Sequence, residues 1–156
     1  MTDSGSEKIR DEALLIARIL LAVLFLVFGW NKLTDYSGTV LYMTQSGALL
    51  PSAAALAAIV IELFGAIALI LGVWTRPLAV LFAFYTLAAG LIGHRYWTMT
   101  GYAHFMNMTN FYKNVSLMGG FFLLYVTGAG KYSIDARLGL PGVLPRRDAG
   151  SLDASG

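Results

Sequence analysis

The sequence predicts an all-α integral membrane protein folded as a four-helix bundle. Of its 156 residues, 57% are hydrophobic and only 13% charged; soluble domains average roughly 45–50% apolar and 25% charged. Mean hydropathy is +0.66. Four apolar stretches, 13–33, 53–73, 77–97 and 111–128, each come near the ~20 residues that carry a helix across a bilayer core. Between them lie the glycines, prolines and polar residues that end helices.

A polar N-terminal segment, residues 1–12 (MTDSGSEKIRDE), reads as frayed. The first apolar stretch follows. Its length, the acidic residues before it and the absence of a small-residue cleavage site mark it as a retained helix rather than a signal peptide. Arg18 interrupts it near one end and is expected to snorkel to the membrane surface. Arg18, Ala22, Phe25, Gly29 and Lys32 share one helical stripe.

Residues 33–52 form a connection, with a short interfacial helix suggested by TVLYMTQ. The second helix ends at Gly72, Trp74-Thr75-Arg76-Pro77 makes a tight turn, and Pro77 suits the first turn of the third helix. The third helix places Ala83, Leu87, Gly90 and His94 on one face. Thr98 to Asn110, rich in Met, His and aromatics, reads as a connection. The fourth helix begins near Phe111 and stops before Gly128-Ala129-Gly130. Residues 141–156 read as a disordered cytoplasmic tail.

Four crossings put both termini on one side. With the termini inside, Lys8, Arg10, Arg76, Lys131, Arg137, Arg146 and Arg147 are cytoplasmic, and only Lys32, Arg95 and Lys113 lie at outer connections. That asymmetry places both termini in the cytoplasm. Eleven basic residues against nine acidic ones is a small excess, which argues for membrane orientation rather than nucleic-acid binding. The chain has no cysteine, so any redox role needs a bound cofactor or a partner protein.

Glu62 is the exceptional residue. It lies near the middle of the second apolar stretch, where a carboxylate costs roughly 2.5–3.5 kcal/mol by insertion scales. Gly65, Leu69 and Gly72 share its face, and small residues there admit a neighbouring helix. Lys32, His94, Lys113 and Asn114 fall at the outer ends of three other helices, above it. Two readings stay open. In one, Glu62, Lys32, His94, Lys113 and Asn114 line an outward-opening pocket for an anion or a polar head such as a quinone carbonyl. In the other, acid and bases form internal ion pairs that fix the packing, with Lys113 and Lys32 the leading partners of Glu62. His94 reads either as a proton-transfer group or as a helix-end hydrogen bonder. Met99, His104, Met106 and Met108 are donors of the kind Cu(I) takes, but their spacing matches no ligand pattern and Met is a common gap filler. No metal site is expected.

The motifs G-W-N-K-L (29–33), I-E-L-F-G (61–65), L-G-V-W-T-R-P (71–77), His94 with Trp97, N-F-Y-K-N-V-S-L-M-G-G (110–120) and G-A-G-K-Y-S-I-D (128–135) together resemble the DoxX family. The resemblance implies a four-helix protein of the bacterial inner membrane. The family takes its name from a subunit of a thiosulfate:quinone oxidoreductase, and other members are linked to redox-stress complexes. It therefore implies a membrane subunit of a quinone-linked or redox-stress oxidoreductase complex, working with a redox partner protein. A non-enzymatic permease or membrane scaffold is the alternative. The family's recurring polar positions fall here on Lys32, Glu62, His94, Lys113 and Asn114.

Overall fold

The computed structural model describes residues 3–139, and they are helical with no strand. Helix α1 spans Asp3–Thr34 and α2 Tyr36–Gln45. The second apolar stretch is one continuous helical rod, Pro51–Leu71, made of α3 (Pro51–Ile59), a π-helical turn (Val60–Gly65) and α4 (Ala66–Leu71). Helix α5 spans Thr75–Gly93, a 3₁₀ turn covers Tyr96–Thr98, α6 spans Gly101–Thr127 and α7 Ile134–Arg137.

Among the described residues, three helices are long and apolar enough to cross a membrane: Gly5–Thr34, Pro51–Leu71 and Thr75–Thr98. Helix α6 is long enough at 27 residues, but Asn107, Asn110, Lys113 and Asn114 dilute its hydropathy. Helix α1 packs along the Pro51–Leu71 rod, and α5 packs along α6. Phe25, Phe82 and Phe121 join the two pairs. The Phe25 ring meets Phe82 at 4.7 Å and Phe121 at 5.6 Å, and Phe82 stacks on Phe121 at 5.2 Å. Ala22, Ala66, Leu69, Ala79, Ala83 and Leu124 complete this core.

Several boundaries differ from the sequence reading, each for a local reason. Helix α1 starts ten residues before position 13. Its added turns carry a Lys8–Glu12 pair at i,i+4 and bring Asp11 to accept from the Lys131 N–H at 3.3 Å. Helix α6 starts at Gly101 rather than near Phe111. Nothing between 102 and 110 breaks a helix, and the His104 Nδ1 lies 2.9 Å from the Tyr96 carbonyl and 3.2 Å from that of Met99. His104 is thereby tied to local backbone. Tyr96 also packs edge-on to Trp97 and against Phe111, anchoring the start of α6.

Arg18 does not snorkel. It is 0% exposed and donates from Nη2 to the Tyr132 carbonyl. Residues 128–137 fold back over this end of the bundle and cover it. Asp135 accepts from the N–H groups of Trp74 at 2.8 Å and Thr75 at 2.9 Å. Trp74 itself provides no side-chain cap. Asp135 therefore caps α5 from 60 residues away in sequence, which satisfies two of its orphan donors and sets a negative charge against the positive end of the helix. Gly72 ends α4 in the left-handed region (φ 68°), as the turn L-G-V-W-T-R-P predicts. The expected tail at 141–156 lies outside the described residues.

Candidate functional site

The site begins with a close approach of two backbones. A β-carbon on Gly29 would lie 2.7 Å from the Leu63 nitrogen and 2.9 Å from the Glu62 carbonyl carbon. Only glycine at 29 lets α1 lie this close to the π-helical turn. That turn holds one residue more than an α-turn, and such insertions often mark functional positions. One turn after Gly29, Lys32 extends its stem past the Phe28 ring, with the ammonium 5.4 Å from its centroid. Lys32 Nζ then lies 2.7 Å from Glu62 Oε2. The Tyr85 hydroxyl, from α5, donates to the other oxygen, Oε1. Glu62 is 6% exposed, and both of its oxygens are occupied by donors.

This group lies in the wall of a cavity of about 750 Å³ whose surface is mostly apolar. Leu24, Phe25, Ala54, Ala58, Ile61 and Ala89 contribute much of that surface. Helix α2 forms part of the wall through Thr39, Tyr42 and Met43. Its N-terminus is fixed by Asp35, which accepts the Gly38 N–H at 3.0 Å. Below, the cavity stops at Phe25, whose ring is locked against Phe82 and Phe121.

All five candidate residues, Lys32, Glu62, His94, Lys113 and Asn114, line this one cavity. They do not all touch. Lys113, a leading partner for Glu62 on sequence grounds, instead donates to Asn110 Oδ1 at 3.0 Å; Lys32 takes the carboxylate. His94 caps the C-terminus of α5, and its Nδ1 lies 3.1 Å from Asn107 Oδ1. Asn114 is 8% exposed, with its amide beside Gly90. Arg95 lies outside the lining. Among the described residues, no group of three or more His, Cys, Asp or Glu could hold a metal ion.

Tyr85 is the functional neighbour that sequence reasoning missed. Its signal was present: a lone tyrosine in an apolar helix must find a partner for its hydroxyl. It lies nine residues before His94, or about 14 Å down the helix at ~1.5 Å per residue. At that level its hydroxyl meets Glu62.

The DoxX family model matches residues 13–95, a stretch that contains Lys32, Glu62, Tyr85 and His94. This chain belongs to the DoxX family. It is 52% identical over 128 residues to inner membrane protein YphA of Escherichia coli (strain K12), covering 82% of this chain and 91% of that one. It is 38% identical over 132 residues to inner membrane protein YqjF of the same organism, covering 85% of this chain and 96% of the relative. No solved structure matches the chain. The membrane-length helices and the inner-membrane relatives agree: this DoxX protein is an inner membrane protein.

Proposed function

We propose that this DoxX protein is the membrane subunit of a quinone-linked redox complex, holding a small amphipathic carrier in its cavity while a partner protein supplies electrons. One observation carries the reading: the proton-bearing group Lys32–Glu62–Tyr85 is set in the wall of an otherwise apolar cavity. A quinone would take up two electrons, from the partner, and two protons at its carbonyl oxygens, while its ring and tail are apolar, and such ligands favour apolar pockets with a few placed polar groups. Here the alanines and Phe25 supply the apolar walls. Glu62 accepts and returns a proton at its two oxygens. Lys32 and Tyr85 hold that carboxylate in one orientation and keep its charge compensated. The chain has no cysteine, so a thiol-based electron donor would have to be the partner. Phe25, which lines the cavity and packs on Phe82 and Phe121 behind it, favours a blind binding site over the through-path a permease needs.

Within this reading α6 is a fourth crossing, and the cavity opens outward with both termini in the cytoplasm. The basic residues Lys8, Arg10, Arg76, Lys131 and Arg137 at the closed end support that orientation.

The test is extraction of quinone from protein purified from native membranes. Wild type should carry near-stoichiometric quinone. Ala54→Phe, which pushes a ring into the cavity from its wall, should fold and carry almost none. A wild type without quinone, together with solute counterflow in liposomes, would overturn the proposal in favour of a permease.

A further inference from the structure

The polar groups of the cavity divide into satisfied and unsatisfied ones. Lys32 and Glu62 neutralise each other at 2.7 Å, and Tyr85 fills the remaining carboxylate oxygen. Asp35 is engaged by the N–H of Gly38 at the N-terminus of α2, where the helix dipole already favours a negative charge. His94 faces Asn107. These groups already have partners, so none of them brings an uncompensated charge to hold a ligand head.

Two neighbours on α6 differ. Lys113 meets only the neutral Asn110 oxygen, and among the described residues no carboxylate lies within 4.0 Å of it. Asn114 is more than nine-tenths buried and lines the cavity, and its amide makes no hydrogen bond among the described residues while staying open to the cavity. It is therefore free to meet a ligand head in the cavity. An exposed ammonium at the cavity's edge and an amide in its wall, consecutive on α6, match a negatively charged oxygen on an apolar body.

We propose that the cavity selects amphiphiles with an anionic oxygen head, a carboxylate or an ionised enol or phenol, held by Lys113 and Asn114 while the apolar part lies against the alanines and Phe25. This rests on the cavity being a ligand site, and it adds the charge the ligand must carry. Lys113 supplies the selectivity. Asn114 supplies a hydrogen bond that a neutral head can also use. The Glu62 group stays a separate, internally balanced element beside the bound head.

The probes are a 2-hydroxy-3-alkyl-1,4-naphthoquinone, ionised at pH 7.5, and its neutral 2-methoxy ether. Each is titrated against the full chain in nanodiscs of zwitterionic lipid, so that the membrane itself does not discriminate. The ionised probe should bind about tenfold tighter than the ether, the scale of one partly solvated charge pair. Lys113→Gln should abolish that preference, and Lys113→Arg should keep it. Asn114→Leu should weaken both probes; because that variant alters a buried position, its thermal midpoint is measured alongside. If the ether binds as tightly as the ionised probe, or if Lys113→Gln retains the preference, the charge selectivity is wrong while the ligand site stands. If neither probe binds wild type, the ligand site itself is wrong.

Discussion

Lys32 reaches Glu62 only because Gly29 sits one turn earlier with no side chain. The ammonium lies 2.7 Å from Oε2, and the backbones beneath it approach so closely that no β-carbon fits at position 29. A residue type, a π-helical turn and an ion pair are thus one structural unit. Each element implies a measurable consequence.

Gly29→Ala should be strongly destabilising. Its β-carbon meets backbone atoms of Glu62 and Leu63, which cannot rotate away as a side chain tip could. Overpacking of this kind costs ~1–3 kcal/mol, and separating α1 from the rod also strands the Lys32–Glu62 pair. Thermal melting in detergent should show a drop of several degrees, larger than for any alanine substitution of a lipid-facing glycine.

Tyr85→Phe keeps the ring and removes one donor to a carboxylate. Hydrogen bonds to charged groups contribute ~1.5–3 kcal/mol, so a loss of that order is expected. The protein should still insert and fold, and the change should be read as a lower midpoint with an unchanged helical spectrum. A midpoint equal to that of wild type would mean that Tyr85 does not hold Glu62.

Gly72 and Gly119 make an internal comparison. Alanine at Gly72 must adopt φ 68° and would drive its β-carbon into Arg18 Nη1, while at Gly119 nothing lies within 4 Å. Gly119→Ala, in the interior of α6, should be neutral or stabilising by up to ~1 kcal/mol. Gly72→Ala should disrupt the buried Arg18 end and give poor yield of folded protein. Equal behaviour of the two would remove Arg18 from the account of that end.

Orientation is tested by reporters. A periplasm-active enzyme fused after Gly139 should be silent, and one inserted near Gly101 should be active. The reverse pattern would turn the cavity mouth to the cytoplasm.

Much of this fold is written in the apolar periodicity. The spans around 13–33, 53–73 and 77–97 stand out because lipid-facing and core-facing positions are both apolar, and the Gly72 and Pro77 punctuation marks the turn between two of them. The polar residues of the cavity stood out for the opposite reason, since a charge or amide inside an apolar helix is costly and therefore rare. Which base takes Glu62 was not legible. Lys32 and Lys113 are equivalent as charges, and only the backbone approach at Gly29 decides between them. The start of α6 was hidden because Met, His and aromatics suit an interfacial loop as well as a helix. Arg18 was misjudged because its cover, Tyr132 and Asp135, comes from a polar segment more than a hundred residues later. No local pattern announces that contact.

The most direct test of the central claim is a double-mutant cycle on the pair. Thermal stability is measured for wild type, Glu62→Gln, Lys32→Met and the double variant, with Glu62→Gln and Lys113→Met as the control cycle. Glu62→Gln and Lys32→Met should each lose several kcal/mol by stranding a buried partner, and Lys113→Met should lose little, because exposed Lys113 meets only the Asn110 oxygen. The Lys32 double variant should recover part of that loss, with a coupling of ~1–3 kcal/mol, while the Lys113 cycle should be additive within about 0.5 kcal/mol. Additive losses in the Lys32 cycle, or coupling that appears only with Lys113, would contradict the site as built.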